Sequence, residues 1–306
     1  MKILITGSTG LLGQALSARL AQRADVTGLS RHAPTSALAG RHVVCDLRDA
    51  GRTAEAICAV RPDVVLHAQA LPDVDRCERE PTLAEAMNVG TTAHVIDALA
   101  GTRAWLMFIS TDYVFDGTKG SAYEEADAPQ PLNVYGRTKL AAERLILSQP
   151  RGLVARVSTL FGAGRKNFCD EIVERLRRGD VVEAFSDQTT SPTYTEDVAE
   201  GLDLVLRVLE CGALPSKILH VVNDGSCTRV AFANRVAELI GSSRSAIRAI
   251  PMAQQRRPAP RPAHSALRSR YLATMIGRTL RPWDDALQAY LRQRRPFDSA
   301  QAGVLS

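Results

Sequence analysis

The chain has 306 residues, 45% hydrophobic and 23% charged, with a formal net charge of +5. That balance excludes a disordered or fibrous polymer and suits one α/β body with an appended lobe. No run approaches the roughly 18 apolar residues of a membrane span, and Met1 leads into a strand rather than a basic and apolar leader, so the expected compartment is the cytosol.

In chain order, Lys2 to Thr6 is a short apolar run, followed by a glycine-rich turn and then Leu11, Leu12, Ala15, Leu16 and Leu20 at helical spacing. Val26 to Ser30, Val43 to Cys45, Val64 to His67 and Trp105 to Ser110 repeat the strand signal, with helical stretches at 52–60 and 82–100. A helix from Val134 to Ser148 and a strand from Leu153 to Val157 complete the first half. The expected fold is therefore α/β, a doubly wound parallel Rossmann sheet with a smaller C-terminal α/β substrate lobe. Residues 1–160 would be the dinucleotide-binding domain, 161–295 mainly the substrate lobe, interleaved with the first, and 296–306 a tail. In the second half the pattern predicts helices around Ile172, Val173 and Leu176, over Asp197 to Leu209, and near Ser265–Met275 and Pro282–Arg292. Residues 251–264, rich in Pro, Arg and Gln, read as a loop.

The six cysteines, Cys45, Cys58, Cys77, Cys169, Cys211 and Cys227, show no C-x-x-C spacing and are expected as buried thiols. The six histidines include no pair at metal-ligand spacing on a helix, so no metal is expected. Arginines scattered along helices and gathered in the last third, without interleaved aromatics, read as solvated surface and not as a nucleic-acid face.

Gly7, Gly10 and Gly13 lie between the first strand and the first helix, where a pyrophosphate can rest on unsatisfied helix N–H groups. A tight turn with no ligand is the alternative. At the end of the second strand stands Leu29-Ser30-Arg31-His32, which offers no carboxylate for a ribose hydroxyl and a cation for a 2′-phosphate. Ser30 and Arg31 thus favour NADPH over NAD, against the alternative of a surface arginine. Asp46-Leu47 after the third strand is a candidate for the adenine amino group or a simple turn cap.

Tyr135 and Lys139 are four residues apart, hence on one helix face. Chance gives about 0.1 such pairs in a chain of this composition, so the spacing is informative, although an exposed surface pair stays open. A tyrosine must come down from its ordinary pKa of about 10 to exchange a proton near neutrality, and a neighbouring ammonium and a cationic nicotinamide would both favour its phenolate. Ser110-Thr111-Asp112-Tyr113-Val114-Phe115 lies at the C-terminal end of a strand, where open parallel sheets bind ligands, and Thr111 can polarise a carbonyl. The loop Arg256-Arg257-Pro258-Ala259-Pro260-Arg261-Pro262 offers Arg261, helped by Arg257, as a fork for the diphosphate of a small-molecule ligand; a solvated basic loop is the alternative.

These motifs resemble the extended short-chain dehydrogenases, and more narrowly the dTDP-4-dehydrorhamnose reductases and related sugar-nucleotide reductases. The resemblance runs through the glycine turn, Arg61-Pro62-Asp63-Val64-Val65, Ser110 to Phe115, Pro131-Leu132-Asn133-Val134-Tyr135-Gly136, Asp187-Gln188 with Ser191-Pro192-Thr193, and Arg261-Pro262. It implies Thr111, Tyr135 and Lys139 as catalytic residues. It implies Gly10-Leu11-Leu12, Asp46-Leu47, Ala68-Gln69-Ala70-Leu71-Pro72, Tyr135 and Lys139 at the cofactor, and Thr111 and Asp112 facing the sugar. The implied activity is NADPH-dependent reduction of a 4-keto group on a nucleotide-diphospho-6-deoxy sugar.

Three departures from the resembled pattern stand out. His67-Ala68-Gln69 replaces an Asn-Ala-Ala turn, Thr159 stands where rhamnose-forming enzymes carry a Trp, and Ala15 where some members use a Glu in a magnesium-linked dimer. A homodimer, use of NAD by an epimerase or dehydratase, and a non-catalytic regulator resembling the methionine adenosyltransferase β subunit remain the alternatives.

Overall fold

The computed structural model describes residues 1–34, 39–210 and 216–301, so Cys211 lies outside the described residues. The first half builds β1 (Lys2–Thr6), α1 (Leu11–Leu20), β2 (Asp25–Ser30), β3 (Arg41–Val44), α2 (Ala50–Val60) and β4 (Val64–His67). It continues through α3 (Val74–Arg79), α4 (Pro81–Glu85), a π-turn at Ala86–Gly90, α5 (Thr91–Ala98), β5 (Trp105–Thr111), α6 (Val134–Leu147) and β6 (Gly152–Val157). The second half adds β7 (Leu160–Phe161), α7 (Phe168–Arg177), β8 (Val182–Phe185), β9 (Thr189–Thr190), β10 (Thr193–Tyr194) and α8 (Thr195–Glu210). It ends with β11 (Ile218–His220), β12 (Cys227–Thr228), α9 (Arg229–Ile240), β13 (Ile247–Ile250), α10 (Tyr271–Ile276) and α11 (Trp283–Gln301).

Seven strands form one parallel sheet in the order β11-β6-β5-β4-β1-β2-β3. Because successive side chains alternate across a strand, β1 sends Ile3 and Ile5 to one face and Leu4 to the other. The first face packs Leu66 and Met107 under Leu16 and Leu20 of α1 and Leu202 and Leu206 of α8. The second packs Val65 and Phe108 under Ile57 of α2, Val95 of α5 and Ile146 of α6. Burial on both faces is why these strands read as continuous apolar runs. Strand order reverses between β1 and β4, which places the ligand crevice of such a sheet at their carboxyl ends.

β11, a strand from the second half, pairs with β6 in the main sheet. The lobe has its own core of Phe161, Val173, Tyr194, Phe232, Val236, Leu287 and Tyr290. Its β8–β13 pair and α9 lie outside the elements read from the sequence, although α9 buries Phe232, Ala233, Val236 and Ala237 at helical spacing. The helix expected from Ser265 begins only at Tyr271. Residues before it run extended, because the Ser265 amide donates to the Thr189 carbonyl at 3.0 Å and the Arg268 amide to the Tyr123 carbonyl at 2.8 Å. The last helix continues to Gln301, past the boundary at which a tail was expected. Cys58 is exposed, contrary to the expectation of buried thiols, since it lies on the outer side of α2. Among the described residues, no helix is long and apolar enough to cross a membrane.

Candidate active site

The turn after β1 is shaped by close backbone approach. A Cβ on Gly13 would lie 2.2 Å from the Gly7 carbonyl oxygen, so only glycine lets α1 start so near the strand. Gly10 caps that helix in an extended conformation, leaving the amides of Leu11 and Leu12 without intrahelical acceptors. Across the crevice the Ala68–Leu71 segment leaves β4, and the Leu71 amide donates to Asn88 Oδ1 at 2.7 Å. Asn88 Nδ2 in turn donates to Thr138 Oγ1 at 2.9 Å, one residue before Lys139. Asn88 was missed by sequence reading, because a single asparagine in a π-turn has no periodic signature.

At the end of β2, Ser30 is turned inward: its hydroxyl donates to the His32 carbonyl at 2.7 Å and pairs with His42 Nε2 at 2.9 Å. Arg31 is exposed, with its Nε 3.0 Å from His32 Nε2. Asp46 is gripped by the Arg48 guanidinium at 2.6 Å, which holds its carboxyl below the usual range, while the adjacent Leu47 is buried. That arrangement is closer to the turn-capping alternative for Asp46 than to a free adenine acceptor. His67 is a satisfied core residue, its ring nitrogens 2.7 Å from Thr6 Oγ1 and 3.1 Å from Thr92 Oγ1, and burial pushes its pKa to about 3.

Thr111, Tyr135 and Lys139 converge at the ends of β5 and α6. Asn133 caps α6 by accepting the Gly136 amide at 2.8 Å. Gly136 is obligatory there, since a Cβ would fall 2.1 Å from the Tyr113 carbonyl oxygen. This contact sets Tyr135 beside the Thr111–Phe115 turn, with the Tyr113 and Tyr135 rings edge to face at 6.1 Å. Lys139 is buried, donates to the Ile109 carbonyl at 2.6 Å and lies 3.9 Å over the Phe108 ring.

The protein's own groups do not lower the Tyr135 pKa as the sequence suggested. Burial holds the phenol above its ordinary value, outweighing the opposing contribution of Thr111. The same burial brings the Lys139 ammonium down to about 7.

Two substrate assignments need correction. Asp112 is not turned toward the crevice: its carboxyl is buried among the hydroxyls of Thr111 at 3.1 Å, Ser158 at 2.9 Å and Ser265 at 2.5 Å. Arg261 is committed to Asp75 by two prongs of 2.9 Å each and to the Ala259 carbonyl at 2.7 Å. It is Arg257, from the same loop, that reaches a 340 Å³ pocket, alongside Arg229, Gln188, Thr159 and Tyr113. The arginines lie over aromatic rings there, Arg257 over Phe185 at 4.7 Å and Arg229 over Phe168 at 4.9 Å. Thr159 holds a left-handed φ of 42°, a strained conformation for a β-branched residue at a site wall. Arg229 was missed because it opens a helix that sequence reading did not detect.

The family described as RmlD substrate binding domain matches residues 1–295. The dTDP-4-dehydrorhamnose reductase of Streptomyces griseus is 35% identical over 288 residues, covering 93% of this chain and 91% of that one. Among solved structures, a dTDP-4-dehydrorhamnose reductase from Clostridium acetobutylicum superposes with a TM-score of 0.85 at 27% identity, covering 96% of this chain and 100% of its own. The Bacillus anthracis dTDP-4-dehydrorhamnose reductase, solved in complex with NADP, gives 0.84 at 25% identity, covering 95% and 99%.

Proposed function

The chain belongs to the RmlD substrate-binding-domain family, and we propose that it is an NADPH-dependent reductase of the 4-keto group of a 6-deoxy sugar carried on a nucleoside diphosphate. The observation that carries this reading is that Thr111, Tyr135 and buried Lys139 gather about the carboxyl end of β5, on the sheet edge that also carries the glycine turn after β1, with Tyr113 joining Tyr135 to an arginine-lined pocket. The names of the relatives support the substrate class, and the NADP complex of one supports the cofactor.

The turn fits a dinucleotide, because glycines at 7 and 13 let its backbone pack tightly against Ala68–Gln69 and the start of α1, where the helix's first amides lack a side-chain cap. Gly7, Gly10, Leu11, Leu12 and Gly13 would hold the pyrophosphate, Arg31 the 2′-phosphate, Ala68 to Leu71 the adjoining ribose side, and Lys139 the nicotinamide ribose. NADPH supplies the hydride when bound. Tyr135 delivers the proton to the keto oxygen from its hydroxyl, and Thr111 would orient that oxygen by turning its single hydroxyl proton from Asp112 to the substrate, which leaves Asp112 the Ser158 and Ser265 hydroxyls. The sugar would lie against Tyr113, Thr159 and Gln188, with Arg229 and Arg257 on the diphosphate. Asp112, tied to three hydroxyls, and Tyr113 beside it provide no free carboxyl for expelling a hydroxyl, which favours reduction over dehydration.

The test is NADPH oxidation on a panel of nucleotide-diphospho-4-keto-6-deoxy sugars, with products examined by NMR. Turnover on one of them is expected. Absence of turnover on every member, with NAD copurifying, would assign the site to an epimerase or dehydratase instead.

A further inference from the structure

One turn beyond Lys139 on α6 lies Glu143, fully buried and unused by the steps above. Its Oε1 accepts from the Ser110 hydroxyl at 2.5 Å and from Arg156 Nε at 2.9 Å, and its Oε2 accepts from Arg156 Nη2 at 2.7 Å. Ser110 sits between Ile109, whose carbonyl takes the Lys139 ammonium at 2.6 Å, and Thr111. Helix α6 therefore grips β5 at two consecutive residues, by Lys139 on one and Glu143 on the next, while Arg156 draws in β6. Burying a carboxylate and a guanidinium carries a desolvation penalty that their attraction need not recover, so packing stability alone does not account for this pair.

We propose that Glu143 is a positioning residue for the reduction: it locks Ser110, and through it Thr111, against α6, and sets a carboxylate one helical turn from Lys139. The role assigned to Lys139 rests on the reductase reading, whereas the clamp does not. Residues four apart share a helix face, and inside a protein the field between them is weakly screened. Burial drives the Lys139 ammonium toward deprotonation, and the Glu143 carboxylate is what opposes it. Other groups around Lys139 do not supply that negative charge. His67 on β4 is held neutral, Tyr135 on α6 keeps its proton, burial raises the Asp112 pKa after β5, and Arg156 on β6 is a cation.

The experiment uses the whole chain labelled with ¹³C at the lysine ε carbons, of which there are five, at Lys2, Lys119, Lys139, Lys166 and Lys217. Lys139→Met assigns the resonance. In the wild type the Lys139 signal should titrate near 7, and in Glu143→Gln its midpoint should drop by about one pH unit or more. The high-pH limb of kcat/KM should move the same way. Glu143→Gln with Arg156→Met, which removes the stranded cation, should fall between the two and serves if the single variant does not fold. A folded variant with the Lys139 midpoint unmoved, and activity lowered equally at every pH, overturns the proposal. If the wild type reduces no keto sugar, the reductase reading fails, and the ligand-free titration still judges the coupling of Glu143 to Lys139.

Discussion

Arg261 and Asp75 tie the proline-rich loop of the lobe to the first turn of α3 through a two-pronged ion pair, 2.9 Å on each prong, with Arg261 only 10% exposed. The same carboxylate accepts the Ala259 amide at 3.2 Å, so the pair anchors the loop at two points. Arg261→Ala should cost about 1–3 kcal/mol in denaturant unfolding and raise KM for the sugar nucleotide indirectly, through Arg257. Arg257→Ala should weaken binding of free nucleoside diphosphate by calorimetry while leaving stability nearly unchanged. The reverse pattern would return the diphosphate to Arg261.

Tyr135→Phe removes the transferable proton and little volume. Turnover should fall by about 10²- to 10⁴-fold with NADPH affinity nearly intact, measured by fluorescence titration. Activity within a few-fold of the wild type would take Tyr135 out of the mechanism.

Arg31 is exposed at the β2 carboxyl end, with only its Nε engaged by His32, whereas its neighbour Ser30 is turned inward to His42, so of the two it is Arg31 that would meet a 2′-phosphate. Arg31→Asp should shift the NADPH-to-NADH ratio of kcat/KM by roughly ten- to hundredfold toward NADH. An unchanged ratio would make Arg31 an ordinary surface residue.

His67 and His220 are both buried, and desolvation takes each from 6.5 to about 3. Between those values the unfolded chain binds protons that the folded chain refuses, so stability is fully present above 6.5 and is lost as pH falls toward 3. Urea midpoints should therefore already decline between about pH 6.5 and 5, before ordinary carboxylates protonate. His67→Gln, retaining a polar partner for Thr6, should reduce that decline by about half, since His220 still contributes. A midpoint constant over this interval would contradict the burial argument.

Much of the fold was legible because its determinants are local. The alternation of strands and helices, the glycines at 7, 10 and 13 and the four-residue spacing of Tyr135 and Lys139 follow from backbone sterics and helix period, which operate over a few residues. Hence the parallel sheet, the tight glycine turn after β1 and the shared helix face of Tyr135 and Lys139 could be read from the chain alone. Partnership between distant residues could not, since an arginine looks the same in sequence whether it meets a phosphate or a carboxylate. Only the tertiary structure turns Asp112 toward Ser158 and Ser265, pairs Arg261 with Asp75 across 186 positions, and brings Arg229 and Arg257 to one pocket. Likewise the Lys139 ammonium near neutrality and the Glu143 clamp beside it arise from desolvation and a low-dielectric surround. Those are properties of the packed interior, and no short stretch of sequence contains them.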